Sequence, residues 1–272
     1  MIQFDRIVEC ALSELNKVGV EAKGLTITFD IKKDASSNEN KAEIQIYNFN
    51  ETNRNWIDKA EYHKQSPIMV LLKAGYHNYA KQIFFGDVKQ ASSKKEGSDW
   101  ITYISGSDGN TKNFSAKVSK SFKEQSTLSQ AINFLVNELD FPKKMIKDIP
   151  DVTYKKGLSI SGFAKDELDI LCRAYDLQWF IDDGTLVVIP QITDTGETAI
   201  SIRAETGLIG SPSKNEKGVD VTCLLNGDFK IGRKVQLESV LFPKANYKIV
   251  EVSHKGNSRE GDFYSKLLLQ NL

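Results

Sequence analysis

Cysteine is scarce in this chain of 272 residues: Cys10, Cys172 and Cys223 are far apart and odd in number. That excludes a disulfide framework, and no two stand at the C-x-x-C spacing that holds zinc or an iron–sulfur cluster. Cys172 falls in the apolar stripe of an expected helix and Cys223 in an expected strand, the setting of buried, inert thiols. Histidine is as rare. His63, His77 and His254 include no H-E-x-x-H motif and no second histidine at ligand spacing, so a metal enzyme is not expected. His63 and His77 sit in turn-like surroundings and read as solvated. Neither sign of charge is in excess, with 36 Lys+Arg against 36 Asp+Glu. A dedicated nucleic-acid binder would need clustered, unbalanced basic charge to release counterions. No apolar run approaches the ~18–20 residues that span a bilayer; Ile68–Leu72 and Leu267–Leu269 are strand-sized. The stretch Met1 to Cys10 carries the acidic residues Asp5 and Glu9 where a signal peptide has its apolar run, so folding in a cytoplasm without a cleaved signal is expected.

Catalytic signatures are missing too. There is no G-x-S-x-G, no Walker A loop and no glycine-rich phosphate loop; Gly106 and Gly109 only bracket a strand-end turn. Two carboxylate pairs exist, Asp166 with Glu167 and Asp182 with Asp183, but a glycosidase needs carboxyls facing one cleft ~5–10 Å apart. Asp166 and Glu167 suit the first turn of a helix, and Asp182 and Asp183 the start of a hairpin turn. No catalytic, cofactor-binding or metal-binding residue is assigned, and no cofactor is expected.

What is present reads mostly as strands. Phe4 to Val18 forms a strand running into polar chain. Leu25, Ile27, Phe29 and Ile31 alternate with polar residues, the period of a half-buried strand, and Ala42, Ile44 and Ile46 repeat it. Lys32 to Asn40 between them reads as an exposed hairpin loop. Asn48 to Lys59 has helical character, with Asn50 as N-cap and Trp56 as its large apolar anchor. Ser66-Pro67 punctuates the chain, and strands follow at Ile68–Ala74, Gln82–Gln90 and Trp100–Ser105. In the middle, Thr127 and Gln130 fit a capping box before a helix through Leu139, with Pro142 marking its end. A second helix is expected over Ala164–Tyr175. A hairpin of Gln178–Ile181 and Thr185–Ile189 then closes on Asp183-Gly184. The last segment returns to strands at Ala199–Arg203, Val219–Leu225, Lys234–Ser239, Tyr247–Ser253 and Phe263–Gln270, punctuated by Gly207, Gly210, Pro212, Gly218 and Gly227.

Two stretches echo each other. Val88 stands eight positions before Glu96-Gly97, and Val252 eight before Glu260-Gly261; Asp99-Trp100 and Asp262-Phe263 then start the next strand. Val70 and Val235 open strands 18 and 17 residues before those valines. Generic hairpins can coincide in this way; the alternative is two related β-domains flanking an α/β middle.

Tyr47-Asn48-Phe49, Lys73-Ala74-Gly75-Tyr76 and Phe84-Phe85-Gly86-Asp87-Val88 resemble, in order, the amino-terminal tube domain of baseplate hub proteins from contractile phages. Gly207–Pro212, Gly218–Leu225 and Gly232–Ser239 resemble later motifs of the same family, although Phe229-Lys230-Ile231-Gly232 lacks the proline often found before that glycine. The resemblance covers nearly the whole chain and extends to the hubs of type VI secretion spikes and contractile bacteriocins. It implies an α+β, mainly β chain: a tube-type β-barrel domain over 1–106, an α/β domain over 107–190 and a second barrel over 191–272. It further implies a homotrimer capping the hexameric tail tube, with tail tube protein, central spike and other baseplate proteins as partners. Such a protein would reside in the virion baseplate after assembly in the host bacterial cytoplasm. DNA would pass through its lumen without sequence-specific recognition.

Two competing readings draw on the same residues. A receptor- or carbohydrate-binding tail module could stack sugars on Trp56, Trp100 or Trp179, although each lies in an apolar strand or helix pattern that favours packing. A hub carrying cell-wall hydrolase activity would need a carboxylate pair in a cleft. Residues 110–160 hold nine lysines against five acids. A DNA conduit should hold phosphate weakly, so Lys117, Lys120, Lys123, Lys143, Lys144 and Lys147 are expected on outer or intersubunit faces.

Overall fold

The computed structural model describes residues 5–14, 19–36, 39–59, 68–77, 79–108 and 114–272. His63, Ser66-Pro67, Gly109 and the ends of the first expected strand lie outside them.

The first part of the chain forms β1 (Arg6–Glu14), β2 (Val20–Ala22), β3 (Ile27–Asp34), β4 (Lys41–Tyr47), α1 (Glu51–Asp58), β5 (Ile68–Tyr76), β6 (Tyr79–Glu96) and β7 (Asp99–Ser107). Alternation decides which face each strand buries. Ile27, Phe29 and Ile31 of β3 and Ala42, Ile44 and Ile46 of β4 point into one core shared with residues of β1, β5 and β6. A single sheet can share one core among so many strands only by curling around it. Asn50 caps α1 by accepting from the Asn53 amide. The buried residue of that helix is Ile57; Trp56 packs at the rim of the core and donates from Nε1 to Glu14.

The middle part forms β8 (Lys117–Phe122), β9 (Ser126–Thr127), α2 (Leu128–Glu138), β10 (Lys143–Ile146), β11 (Thr153–Tyr154), β12 (Leu158–Phe163), α3 (Ala164–Ala174), β13 (Leu177–Asp182) and β14 (Thr185–Pro190). Thr127 and Gln130 make the reciprocal capping box. The β13–β14 hairpin is apolar on both faces. Trp179, Ile181, Leu186 and Val188 pack against α2 and α3, while Phe180, Val187 and Ile189 enter a different core built from the last part of the chain. A strand buried on both sides needs a near-continuous apolar run, which Leu177–Asp182 and Thr185–Pro190 supply. Its two-residue turn sets Asp183 at φ 51° and Gly184 at φ 74°, the pair of positive angles such a turn requires.

The last part forms β15 (Ile200–Ile202), β16 (Leu208–Lys214), β17 (Val219–Leu224), β18 (Lys234–Leu237), β19 (Ala245–Asn257) and β20 (Phe263–Asn271). Gly232, a residue of the resembling motifs, has φ 79°, and a Cβ there would lie 2.9 Å from the Phe180 ring. The glycine lets the last part close onto the hairpin.

Strand order repeats. The first part runs β3-β4-β7-β6-β5-β1, the last β16-β17-β20-β19-β18-β15, each neighbour hydrogen-bonded to the next. Thus β5, β6 and β7 correspond to β18, β19 and β20, the strands of the sequence echo. The sixth position differs in direction: β1 is antiparallel to β5, whereas β15 is parallel to β18. The two runs form one sheet because β3 pairs antiparallel with β19, from Asp34 opposite Glu251 to Thr28 opposite Asn257.

Three expectations are corrected. Lys32–Asn40 is not simply an exposed loop: β3 continues to Asp34, and Lys33 and Asn40 are buried. Gly210 and Pro212 do not merely punctuate, since they sit in a bulge inside strand β16. The middle part also gains the antiparallel pair β8–β12 and the parallel strand β10 beside β14.

Candidate functional site

The chain's strongest concentration of buried charge lies where β3, β6, β19 and the β13–β14 turn meet. Inward alternation along β3 places Lys33 on the face that also buries Ile27, Phe29 and Ile31. Its Nζ donates to Asp182 Oδ1 at 2.8 Å and Asp183 Oδ1 at 2.6 Å. Asp183 Oδ1 also accepts from the Phe85 amide of β6 at 3.1 Å. Beside them, Asn40 Nδ2 donates to Asp108 Oδ2 and to the Ile181 carbonyl, both at 2.7 Å, and the Asn40 amide donates to Asp108 Oδ1 at 3.0 Å. His254 of β19 lies 2.9 Å from Ser265 Oγ through Nδ1, and both side chains are buried.

Electrostatics follow from dryness. Burial opposes the Lys33 charge, yet attraction to Asp182 and Asp183 outweighs it and raises the lysine pKa. Burial likewise works to raise Asp183, but Lys33 holds it below the usual carboxylate range. Asp182 is pushed up, by burial first and by the neighbouring Asp183 charge as well. Asp108, desolvated and only partly relieved by Lys33 and Asn40, is raised to about 7. Desolvation and the nearby Lys33 lower His254 to about 3, so it stays neutral.

This arrangement joins chain segments about 150 residues apart and buries Lys33, Asp108, Asp182 and Asp183 together. Asp182 and Asp183 do start the hairpin turn, as expected, and also accept the buried lysine, which sequence reasoning missed. Asp166 and Glu167 occupy the first turn of α3. Trp179 is buried and donates to Asp169; Trp100 is half-exposed with Arg54 stacked on its ring at 4.3 Å. All three thiols are buried and pushed up to about 12 by desolvation. His77 is exposed near Asp5. Among the described residues, no three His, Cys, Asp or Glu side chains converge to hold a metal ion. Among the described residues, no helix is long and apolar enough to cross a membrane.

Outside the dry cluster, the first and last parts are clamped again. Lys81 binds Asp228 at 2.8 Å, Tyr79 donates to the same carboxylate at 2.9 Å, and Arg233 bridges Asp228 and Glu197. Arg6 donates to the carbonyls of Asn257 and Gly261 in the β19–β20 loop. Lys117, Lys120, Lys123, Lys143 and Lys144 are exposed and Lys147 half-buried; Lys117 and Lys120 lie over the rings of Phe163 and Phe134.

Replacing Lys33 by Met strands two buried carboxylates, so urea denaturation at neutral pH should show a loss of about 3–5 kcal/mol. Adding Asp182→Asn and Asp183→Asn should recover most of it; a single variant within 1 kcal/mol of the parent, on the order of the ~0–1 kcal/mol of a surface pair, would deny the cluster its structural role. His254 supplies a pH test. Its folded pKa lies below the unfolded value, so its contribution is present above about 6.5 and is lost as pH falls toward 3. Asp108, raised in the folded state, acts in the opposite sense between about 3.8 and 7. The two partly cancel in the parent, and a variant isolates one. As pH falls from 6.5 to 5, His254→Gln should gain stability relative to the parent by about 1.1 kcal/mol per pH unit on average, because the unfolded imidazole is only half protonated at the upper limit; a constant difference would contradict the assignment.

The sequence matches the family described as Baseplate hub gp41 over residues 7–268. No curated protein matches it significantly. In fold the chain is similar to the 43 kDa tail protein of prophage MuSo2 from Shewanella oneidensis, with TM-score 0.65 at 10% identity over 97% of this chain and 98% of that one. It is also similar to a tail protein from Neisseria meningitidis MC58, with TM-score 0.65 at 10% identity over 96% of each chain. A third similarity is to the E. coli c3393 protein, a component of the type VI secretion system, with TM-score 0.60 at 9% identity over 96% of this chain and 76% of that one. At such identities these structures speak for the fold, and the family match speaks for the sequence along almost its whole length. The chain belongs to the baseplate hub gp41 family, as the order of its turn motifs suggested.

Proposed function

We propose that the chain is the structural subunit of a homotrimeric hub that caps the tail tube and adapts its six-fold symmetry to a three-fold spike. The observation that carries this reading is the repeated strand order, with both runs joined edge to edge through β3 and β19. Two related barrel-type units, over 1–106 and 191–272, then flank the α/β unit of 107–190. Three such chains present six tube-like units in a ring, which is what a three-fold object needs to mate with a six-fold one. The partners on this reading are the tail tube protein, the spike and neighbouring baseplate proteins, in a virion assembled in the bacterial cytoplasm.

Chemistry supports a structural role over an enzymatic one. Of the two carboxylate pairs, Asp182 and Asp183 bind Lys33 in a buried seam, and Asp166 and Glu167 lie on the first turn of α3. The tryptophans favour packing over sugar stacking: Trp179 is buried, Trp56 is only partly accessible, and Arg54 lies over the ring of the more exposed Trp100. Passage of DNA through a ring calls for a wall that holds phosphate weakly, and equal numbers of acidic and basic residues suit that.

Size-exclusion chromatography with light scattering tests the reading. The expected mass is about three times the 30.5 kDa subunit. A protein that remains a monomer across the accessible concentration range contradicts it.

A further inference from the structure

The seam between β3 and β19 has a counterpart that the chain cannot satisfy by itself. On β19, the strand β18 pairs with residues 245–248 and β3 with residues 251–257 along one edge, while β20 occupies the other. On the matching strand β6, β5 pairs along one edge up to Asp87 and β7 takes the opposite edge from Asp87 to Glu96. Among the described residues, no strand pairs with Gln90–Glu96 on the edge away from β7. That is the place where β3 sits on β19. The strand matching β3 is β16, which among the described residues lies at an end of the sheet with only β17 beside it. One half of such a seam is therefore open on β6 and the other on β16.

We infer that β16 of one subunit pairs antiparallel with the open edge of β6 in a second copy of this chain, repeating between subunits the β3–β19 seam found within one. The inference rests on the ring-forming hub reading above and names its interface. A head-to-tail contact of this kind closes into a ring when each step turns through the same angle, and the seam inside the chain already fixes one such step. Main-chain hydrogen bonds to an open strand edge supply the affinity.

The sequence echo, which matches Val88 to Val252, sets the register, and the pairings carry it across the sheet. Gly106 pairs with Val88 and Ala42, and Leu267 with Val252 and Val221. The next pairs are Gln90 with Ser105 and Ser253 with Lys266, so Ser92 corresponds to Lys255. On the other side, Glu43 pairs with Asp30 and Thr222 with Ile209, so Ile209 corresponds to Asp30. Within the chain Lys255 lies opposite Asp30. Between subunits, Ser92 lies opposite Ile209. Ser92 is exposed, and Ile209 is an apolar side chain left 43% exposed in the single chain. The bulge around Gly210 and Pro212 breaks up the outer edge of β16, a feature that keeps such an edge from pairing indiscriminately before its partner arrives.

The test is a double variant, Ser92→Cys with Ile209→Cys, treated with a short bis-maleimide. The three native thiols are each no more than 2% exposed and stay silent. Covalent dimers and trimers are expected from the double variant and none from either single variant, because each seam brings one residue of each kind together. A second variant, Ser93→Pro, removes a donor from the open edge, because Ser92 pairs with Tyr103 and alternation turns the next amide outward; it should lower the mass to that of a monomer with unchanged far-ultraviolet circular dichroism. An oligomer by light scattering that neither cross-links nor responds to Ser93→Pro overturns this interface while leaving the hub reading intact. Cross-linking of a single variant as strong as that of the double variant also overturns it. A parent protein that is monomeric throughout contradicts the trimeric reading and this interface with it.

Discussion

One strand carries two sheets. β3 gives one edge to β4 and the other to β19, so the outer edge of the first β-unit is also the inner edge of the second. A strand in that position is hydrogen-bonded along both sides, and its inward face must be dry over its whole length. Ile27, Phe29 and Ile31 meet this with hydrocarbon; Lys33, the next inward position, meets it with charge. A lone ammonium in such a place would lose its hydration without recompense. The β13–β14 turn supplies the compensation by delivering two carboxylates to one nitrogen. The hairpin that forms this turn packs one face on α2 and α3 and the other on the last part of the chain. The seam, the hairpin and the two cores it separates thus depend on one another.

Such a cluster gains little over a hydrocarbon core of the same shape, because desolvating three charges offsets most of their attraction. What it supplies is registry. Slipping β3 by one residue against β19 would turn Lys33 outward and leave Asp182 and Asp183 buried without a cation. The clamps around Asp228 and Arg6 lie nearer to solvent and contribute less each, but they join the same two parts of the chain. Fixed registry of this kind suits a structural baseplate component.

Much of the fold was legible wherever a strand or helix has one wet and one dry face. The alternation of β3 and β4, the capping box before α2 and the Asp183-Gly184 turn all express local rules. The strands that escaped have local reasons to do so. β8 and β12 each bury a single fully enclosed apolar residue, Val118 and Ile160, among lysine, serine and glycine. β10 is four residues long and pairs parallel with a strand more than forty residues away, so nothing in its own sequence announces it. β16 contains Gly210 and Pro212, which read as turn residues because a bulge needs the same chemistry as a turn. Lys33 was readable in principle, since period two places it inside. A lysine beside another lysine and an aspartate reads as loop unless the alternation is followed to its end. The partners that make its burial tolerable lie about 150 residues away and have no local signal.

The central claim is that the β3–β19 seam makes the two β-units one cooperative body, ready to repeat the same joint with its neighbours. Amide hydrogen exchange on the purified protein tests this most directly. Residues 28–34 and 251–257 should exchange as slowly as the buried strands β4 and β7, opening only with global unfolding. Fast exchange along the seam while β4 and β7 stay protected would show two units merely lying side by side, and would contradict the account.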